Sequence, residues 1–382
     1  MTRITRRQAL TGAAVPLLVE STTAFGSQAS SAVSFGIIGT GGRGRYVGGL
    51  MAKDPRARLA AICDIRPERL DLAQTEIPGA DKVKAYRDMK DLLARADIDA
   101  VLIATPVYLH PEHFELAAAA GKHIYIEKPA GADVAGVKRL LRAAERLGPS
   151  KTVGFGFQQR FSPEYLTAER MIREGRLGEM TLMISYWIWG GAAYTPVPGP
   201  NVRPTDELER IRQWGRWKDT CGDFIVEQDC HGVDILNWFA RAHPEKAYGD
   251  GGRYKRTAGD NSDHVNVSYI YPGGLRGWLL GTQLPPRAYW DVKEQFFGTK
   301  GVIEVARSYY SWQEAGQSKP VRVDSKREIT IDAVEAFFKS IVEGKPFSMA
   351  KNAADSTLTS ILGRMAVELR REVSWDEMMR SG

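Results

Sequence analysis

Two short stretches of this 382-residue chain carry side chains able to move a proton. The first is Glu127-Lys128-Pro129, directly after the apolar run His123-Ile124-Tyr125-Ile126. The second runs Glu227-Gln228-Asp229-Cys230-His231-Gly232-Val233-Asp234. On a helix, Glu227, His231 and Asp234 share one face at i, i+4 and i+7, and that face carries no large apolar residue. A carboxylate, an imidazole and the Lys128 ammonium can then surround one substrate hydroxyl. Removing hydride from a C–H requires the attached O–H proton to leave as well, and a His or Lys tuned near neutrality takes it. Lys128, His231 and Glu227 are therefore the expected catalytic residues. Two other readings stand beside this one. Glu227 and His231 can form a capping pair, or Glu227, Cys230 and His231 can bind a metal. Cys230 and His231 are adjacent, and no tetrahedral ligand spacing exists, so no metal is expected.

These side chains need a frame. Val33 to Ile38 is a short apolar strand, followed at once by Gly39-Thr40-Gly41-Gly42-Arg43-Gly44 and a helical stretch from Tyr46 to Lys53. A G-x-G-x-x-G between strand and helix permits a tight turn, close approach to a pyrophosphate and close helix–strand packing. The helix start then offers free N–H groups to the phosphates. The next strand, Leu59 to Cys63, ends in Asp64. An acid there accepts the adenosine ribose hydroxyls and repels a 2′-phosphate, favouring NAD over NADP, although nearby Arg66 can pair with such a phosphate. Strands and helices keep alternating to residue 152, which predicts a doubly wound parallel sheet. Thr105-Pro106 and Glu127-Lys128-Pro129 end neighbouring strands at its carboxyl edge, where ligands sit. Pro129 stops its strand and holds Lys128 there. His110 lies just past Thr105-Pro106, within reach of the cofactor.

Residues 153–382 read differently. Met180 to Trp189 alternates and is aromatic, and Val265–Tyr271, Leu275–Thr282, Glu294–Phe297 and Gly301–Ala306 are further strands. Few long helices interrupt them, which suggests an α+β domain with a large, mostly antiparallel open sheet. Residues 191–213, rich in Pro and charge, read as a loop or lid. Ile331–Glu343 and Ala353–Arg371 read as amphipathic helices near the domain junction. Trp214, Trp217 and Trp238 offer apolar faces to a pyranose.

Residues 1–31 stand apart. Arg6-Arg7 precedes a weakly apolar stretch from Ala9 to Val19, and small polar residues follow. This resembles a twin-arginine export signal and implies a periplasmic or extracytoplasmic protein. The three Cys have no C-x-x-C spacing, so no disulfide framework is implied, and nothing in the sequence supports a Cys221–Cys230 bridge. The net charge of +6 is modest, and no Lys/Arg run carries interleaved aromatics, which excludes nucleic acid as an expected partner. No run of 18 apolar residues exists, so no stable membrane insertion is expected.

Taken together, the motifs resemble the Gfo/Idh/MocA family, which includes glucose–fructose oxidoreductase and inositol dehydrogenase. The resemblance rests on residues 39–44, Asp64, Ala104-Thr105-Pro106, Glu127-Lys128-Pro129, Gln159-Arg160-Phe161, Arg176-Leu177-Gly178, residues 227–238, Phe297-Gly298-Thr299-Lys300-Gly301 and Val373-Ser374-Trp375-Asp376-Glu377. It implies an NAD(P)-dependent oxidoreductase acting on a CH–OH group of a sugar, polyol or sugar derivative. By resemblance, Lys128 contacts the nicotinamide side and the substrate hydroxyl, and His231 is the general acid/base. Glu127 lies near the nicotinamide ribose, and Arg160 helps shape the substrate pocket; Asp234, from its helix face, and Trp217, from its apolar ring, are the other expected substrate contacts. The family's segment usually has Asp four residues before this His; Glu227 stands there instead. An exported member implies a tightly bound cofactor, recycled by a second substrate. A homo-oligomer through the second sheet is also implied. An NAD-dependent glycosidase and a non-catalytic sugar or nucleotide sensor remain the alternatives on this fold.

Overall fold

A computed structural model describes residues 32–191 and 201–382. The export-like stretch lies outside the described residues, as do residues 192–200 of the expected loop.

The first sheet is built from six short strands: β1 (Val33–Ile38), β2 (Ala57–Cys63), β3 (Lys84–Tyr86), β4 (Ala100–Ile103), β5 (His123–Ile126) and β6 (Val153–Phe155). Their order is β3-β2-β1-β4-β5-β6, all parallel. Helices cover both faces, so β1, β4 and β5 read as near-continuous apolar runs, not as alternations. The strand order reverses between β1 and β4, and the glycine loop leaves the sheet at that switch point.

The second sheet has nine strands: β7 (Met180–Trp189), β8 (Lys246–Gly252), β9 (His264–Ile270), β10 (Arg276–Thr282), β11 (Trp290–Gly298), β12 (Gly301–Ala306), β13 (Tyr309–Glu314), β14 (Val321–Asp324) and β15 (Val373–Ser374). The order is β14-β13-β12-β11-β7-β10-β9-β8-β15. Every pairing is antiparallel except β7 with β10. The inner face buries Met183, Leu279, Val267 and Phe296 against helices Cys230–Ala240 and Ala350–Leu369. Gly232 permits the close approach of the first helix, because a Cβ there would fall 2.0 Å from Ser185 Oγ. Alternation puts Leu182, Ile184, Tyr186, Tyr248, Trp278 and Leu280 on the outer face, where Tyr248 and Trp278 are exposed.

The two domains are tied together by the chain's late helices. Helix Ile329–Val342 returns to the first sheet, where Phe338 meets Phe35 at 5.7 Å and Phe337 meets Tyr125 at 5.6 Å. In packing terms it belongs to the core of the first domain, although the sequence boundary at residue 152 assigns it to the second. Strands β8 and β13–β15 were not among the expected ones. β8 is broken by glycines, and β14, although Val321 and Val323 alternate with Arg322 and Asp324, is only four residues long and exposed throughout.

Candidate active site

The glycine loop is shaped for a close-lying ligand. Gly39 has φ +87°, and a Cβ on Gly44 would fall 1.9 Å from Gly39 O, so helix and strand could not meet with any larger residue. Gly41 and Gly42 face open space. Helix Gly42–Met51 begins without a side-chain cap and with no acid in its first turn, leaving its N–H groups for an anion. The loop opens into a cleft of about 580 Å³, lined also by Arg43, Asp64, Thr105 and Pro106. Asp64 braces the loop: its Oδ2 accepts from Thr40 N at 2.8 Å and its Oδ1 from Arg66 N at 2.9 Å. Arg66, Arg69 and Arg87 line the same end of the cleft. Asp64→Ser should therefore shift nucleotide preference toward NADP by roughly 10- to 100-fold, the worth of a charged hydrogen bond to the ribose and of lost repulsion. Binding constants for both nucleotides check this; an unchanged ratio counts against the role given to Asp64.

The far wall comes from the second domain. Glu207, Ile211, Arg212 and Trp214 close over the cleft. Tyr108 Oη donates to Glu207 Oε1 at 2.6 Å, and Arg210 lies 5.0 Å over the Tyr108 ring. The part of the expected lid within the described residues is thus helix Glu207–Gln213 and the turn after it.

At the strand ends, Glu127 is buried, and Arg43 Nε lies 2.9 Å from its Oε1. That contact is an ion pair without hydrogen-bond alignment, so both carboxylate oxygens lack a donor. A Cβ on Gly156 would fall 2.5 Å from Glu127 Oε2, so a glycine is needed to admit the side chain. Two buried acceptors without a hydrogen-bond donor suit a ribose diol, and with the open glycine loop they fit a nicotinamide dinucleotide. His110 is not in the cleft. It is buried behind it, with Nδ1 2.7 Å from Pro129 O and Nε2 2.8 Å from Thr105 O. It ties together the two loops that carry Thr105 and Lys128, a positioning role in place of the expected cofactor contact.

Lys128 Nζ donates to Glu227 Oε1 at 2.9 Å and to the Glu227 carbonyl oxygen. Burial works against the ammonium, but the Glu227 carboxylate and its neighbours outweigh it and raise the Lys128 pKa. Lys128 is therefore a fixed cation and not a base. His231 is buried, stacked on Trp187 (ring centroids 5.1 Å, planes 10° apart) and edge-on to Phe157 at 5.8 Å. Its Nδ1 has no partner. Burial, then the charges of Arg307, Lys128 and Arg43, push its pKa well below the ordinary value. The ring is neutral at pH 7 and able to accept a proton.

The single helix face expected for Glu227, His231 and Asp234 does not exist. Helix Phe224–Glu227 ends, and Cys230–Ala240 starts anew after Gln228-Asp229. The break sends Glu227 to Lys128. Asp234 turns elsewhere: Arg160 grips it in a fork at 2.8 and 2.9 Å, and Ser356 Oγ donates to it at 2.6 Å. Asp234 thus orients Arg160, which lies 5.2 Å over Trp238. Trp217 is buried under Arg203 and does not line the cleft; Trp214 does. Cys63, Cys221 and Cys230 are buried free thiols. Among the described residues no cluster suits a metal ion.

Sequence reasoning missed Trp187, Arg307 and Glu294. Glu294 had a signal: it occupies a core-facing slot between Val292 and Phe296 on β11. It is fully buried, accepting from Tyr165 Oη at 2.8 Å and Ser185 Oγ at 3.2 Å, and burial pushes its pKa up to about 8. A carboxyl with a raised folded pKa stabilises the fold below its unfolded pKa, and that contribution is lost as pH rises toward 8. Relative to wild type, Glu294→Gln should gain roughly 2–4 °C or more in Tm between pH 5 and pH 8.5. Thermal melts across that range check it; a constant difference would show Glu294 ionised throughout.

Comparison with known proteins agrees with this geometry. Residues 33–155 match the family model described as an oxidoreductase family with an NAD-binding Rossmann fold, and residues 165–304 match the GFO/IDH/MocA C-terminal domain. Inositol 2-dehydrogenase of Rhizobium meliloti is 28% identical over 274 residues, covering 71% of this chain and 74% of that protein. Myo-inositol 2-dehydrogenase of Thermotoga maritima is 23% identical over 360 residues, covering 90% and 99%. Among solved structures, levoglucosan dehydrogenase in complex with NADH and levoglucosan superposes with a TM-score of 0.76 at 20% identity, covering 90% of this chain and 99% of that one. Scyllo-inositol dehydrogenase from Lactobacillus casei, with NAD(H) and scyllo-inositol, gives 0.73 at 21%, covering 90% and 99%. The fold, the nucleotide cleft and both family matches lead to one assignment: the chain belongs to the Gfo/Idh/MocA oxidoreductase family and has its NAD-binding Rossmann domain.

Proposed function

We propose that this protein is an NAD-dependent dehydrogenase acting on a CH–OH group of a sugar, polyol or sugar derivative. One observation carries the reading: a neutral His231 with an unpartnered Nδ1 lies within electrostatic reach of Lys128, a cation fixed at the carboxyl edge of a dinucleotide-binding sheet. NAD, when bound, supplies the hydride acceptor. Lys128 holds the substrate oxygen and stabilises negative charge as it develops there. His231 takes the hydroxyl proton. Glu227 keeps Lys128 charged, while Arg160, held by Asp234, lines a second cavity beside Trp238. The named relatives act on inositols and levoglucosan, compounds rich in secondary hydroxyls, which agrees with this class. The test is NADH formation on a panel of sugars, polyols and sugar acids, after mass spectrometry of any nucleotide that co-purifies. No absorbance change with any of them, by a protein that binds NAD, would contradict it.

Three further elements belong to the proposal. The Arg6-Arg7 stretch supports export by the twin-arginine route; double Lys substitution there should keep the protein in the cytoplasm. The Glu207–Gln213 cover supports slow nucleotide release, with the cofactor recycled by a second substrate. The aromatic outer face of the second sheet supports a homo-oligomer, and Trp278→Glu should shift its mass in solution to the monomer.

A further inference from the structure

We infer that the substrate of this site carries a carboxylate, held by Arg307. This rests on the dehydrogenase reading above and narrows its substrate to sugar acids. The charged groups of the reacting end close into two pairs, Lys128 with Glu227 and Arg43 with Glu127, and Arg160 is taken up by Asp234 beyond them. Arg307 is left over. It sits in the two-residue turn joining β12 to β13, where Ala306 pairs with Tyr309. Its guanidinium lies 5.4 Å over the Trp187 ring, and that ring is the one stacked on His231. Among the described residues no carboxylate lies within ion-pair distance of Arg307, and its buried Nε–H has no acceptor.

The nearby carboxyls do not pair with it directly: Glu328 acts on Arg307 only through space, its Oε1 accepting from Thr330 N and Oγ1. Glu294, with its pKa near 8, is mostly protonated at pH 7, and its oxygens already accept from Tyr165 and Ser185. The Trp187 indole N–H is a second buried donor without an acceptor. Two buried donors with no acceptor, one of them cationic, suit a partner that accepts and is negatively charged. A carboxylate matches the one surplus cation in charge and the guanidinium fork in shape. A phosphate, at about −2, would exceed the single positive charge of the guanidinium. Carboxylate binding also answers a difficulty of the site. Arg307 contributes to the lowering of the His231 pKa, and an anion on Arg307 would restore basicity to the imidazole once substrate is in place.

Calorimetric titration of the NADH-saturated full chain tests this with matched pairs: D-glucuronate against D-glucose, and D-galacturonate against D-galactose. Each pair differs only at C6. At least one hexuronate should bind roughly 30- to 100-fold more tightly than its parent hexose. Arg307→Gln should erase that ratio. Arg307→Lys, which keeps the charge but not the fork, should keep part of it. NADH affinity shows whether each variant is folded, and if Arg307→Gln is not, the Lys variant decides. The inference is overturned if no hexuronate binds better than its hexose, or if the folded variants keep the full wild-type ratio. Selective hexuronate binding without NADH formation from NAD would leave Arg307 as the anion site and overturn the dehydrogenase reading instead.

Discussion

Lys128→Met should lower kcat/KM by roughly 10²–10⁴-fold on the natural substrate, with NAD affinity changed far less. At the upper end that is about 5 kcal/mol of lost transition-state stabilisation. The cause is specific. Lys128 is held as a cation by Glu227, so it contributes most when the substrate oxygen gains negative charge, and little before that. The single variant also leaves the Glu227 carboxylate, 20% exposed, without its partner. That should cost about 2–3 kcal/mol of stability, below the figure for a wholly buried pair. Lys128→Met combined with Glu227→Gln separates the two effects. The double variant should regain most of the stability and none of the activity. Recovered turnover in the double variant would mean that Lys128 matters only to the fold. Melting temperatures and initial rates on the same preparations give both readings.

The second large effect is expected at His231. His231→Gln keeps a polar side chain of similar reach but removes the base, and kcat/KM for alcohol oxidation should fall by roughly 10²–10⁴-fold. The pH dependence makes this more than a loss of function. The folded pKa of His231 lies well below the ordinary value, so the ring stays neutral, and competent as a base, on the alkaline side of that lowered pKa. Oxidation by wild type should thus hold its kcat/KM down past pH 6.5 before an acid limb appears. The variant's residual rate should rise with hydroxide, without that limb. An acid limb centred at or above pH 6.5 would show His231 solvated and Trp187 failing to shield it.

The frame for these residues was legible, the contacts less so. The Rossmann half could be read because each of its signals is local: β1 runs straight into Gly39–Gly44, β2 ends in Asp64, and β5 ends in Glu127-Lys128-Pro129. Each needs only neighbours in the chain. Glu227, His231 and Asp234 were found by spacing and then misplaced, because the spacing assumed one helix. The break at Gln228-Asp229 has no Gly or Pro to announce it. His110 failed for a related reason. Its position just beyond Thr105 suggested the cleft, but its partners are Thr105 O and Pro129 O, and main-chain acceptors leave no mark in sequence. Trp187 and Arg307 lie far apart in the chain, and sheet register alone makes them meet: Trp187 pairs with Val292, and the neighbouring Lys293 pairs with Ala306, the residue before Arg307. An aromatic in an alternating strand reads as core, and an Arg in a turn reads as surface. Only the fold shows that together they enclose the base.

The most direct measurement is isotopic. Perdeuterated sugars, polyols and sugar acids are incubated with the enzyme and NAD, and the nucleotide and the product are weighed by mass spectrometry. The account expects one deuterium per turnover in the reduced nucleotide, with the product carbonyl at the carbon that lost it. Turnover that leaves every C–D bond of the substrate intact and no deuterium in the nucleotide would contradict it.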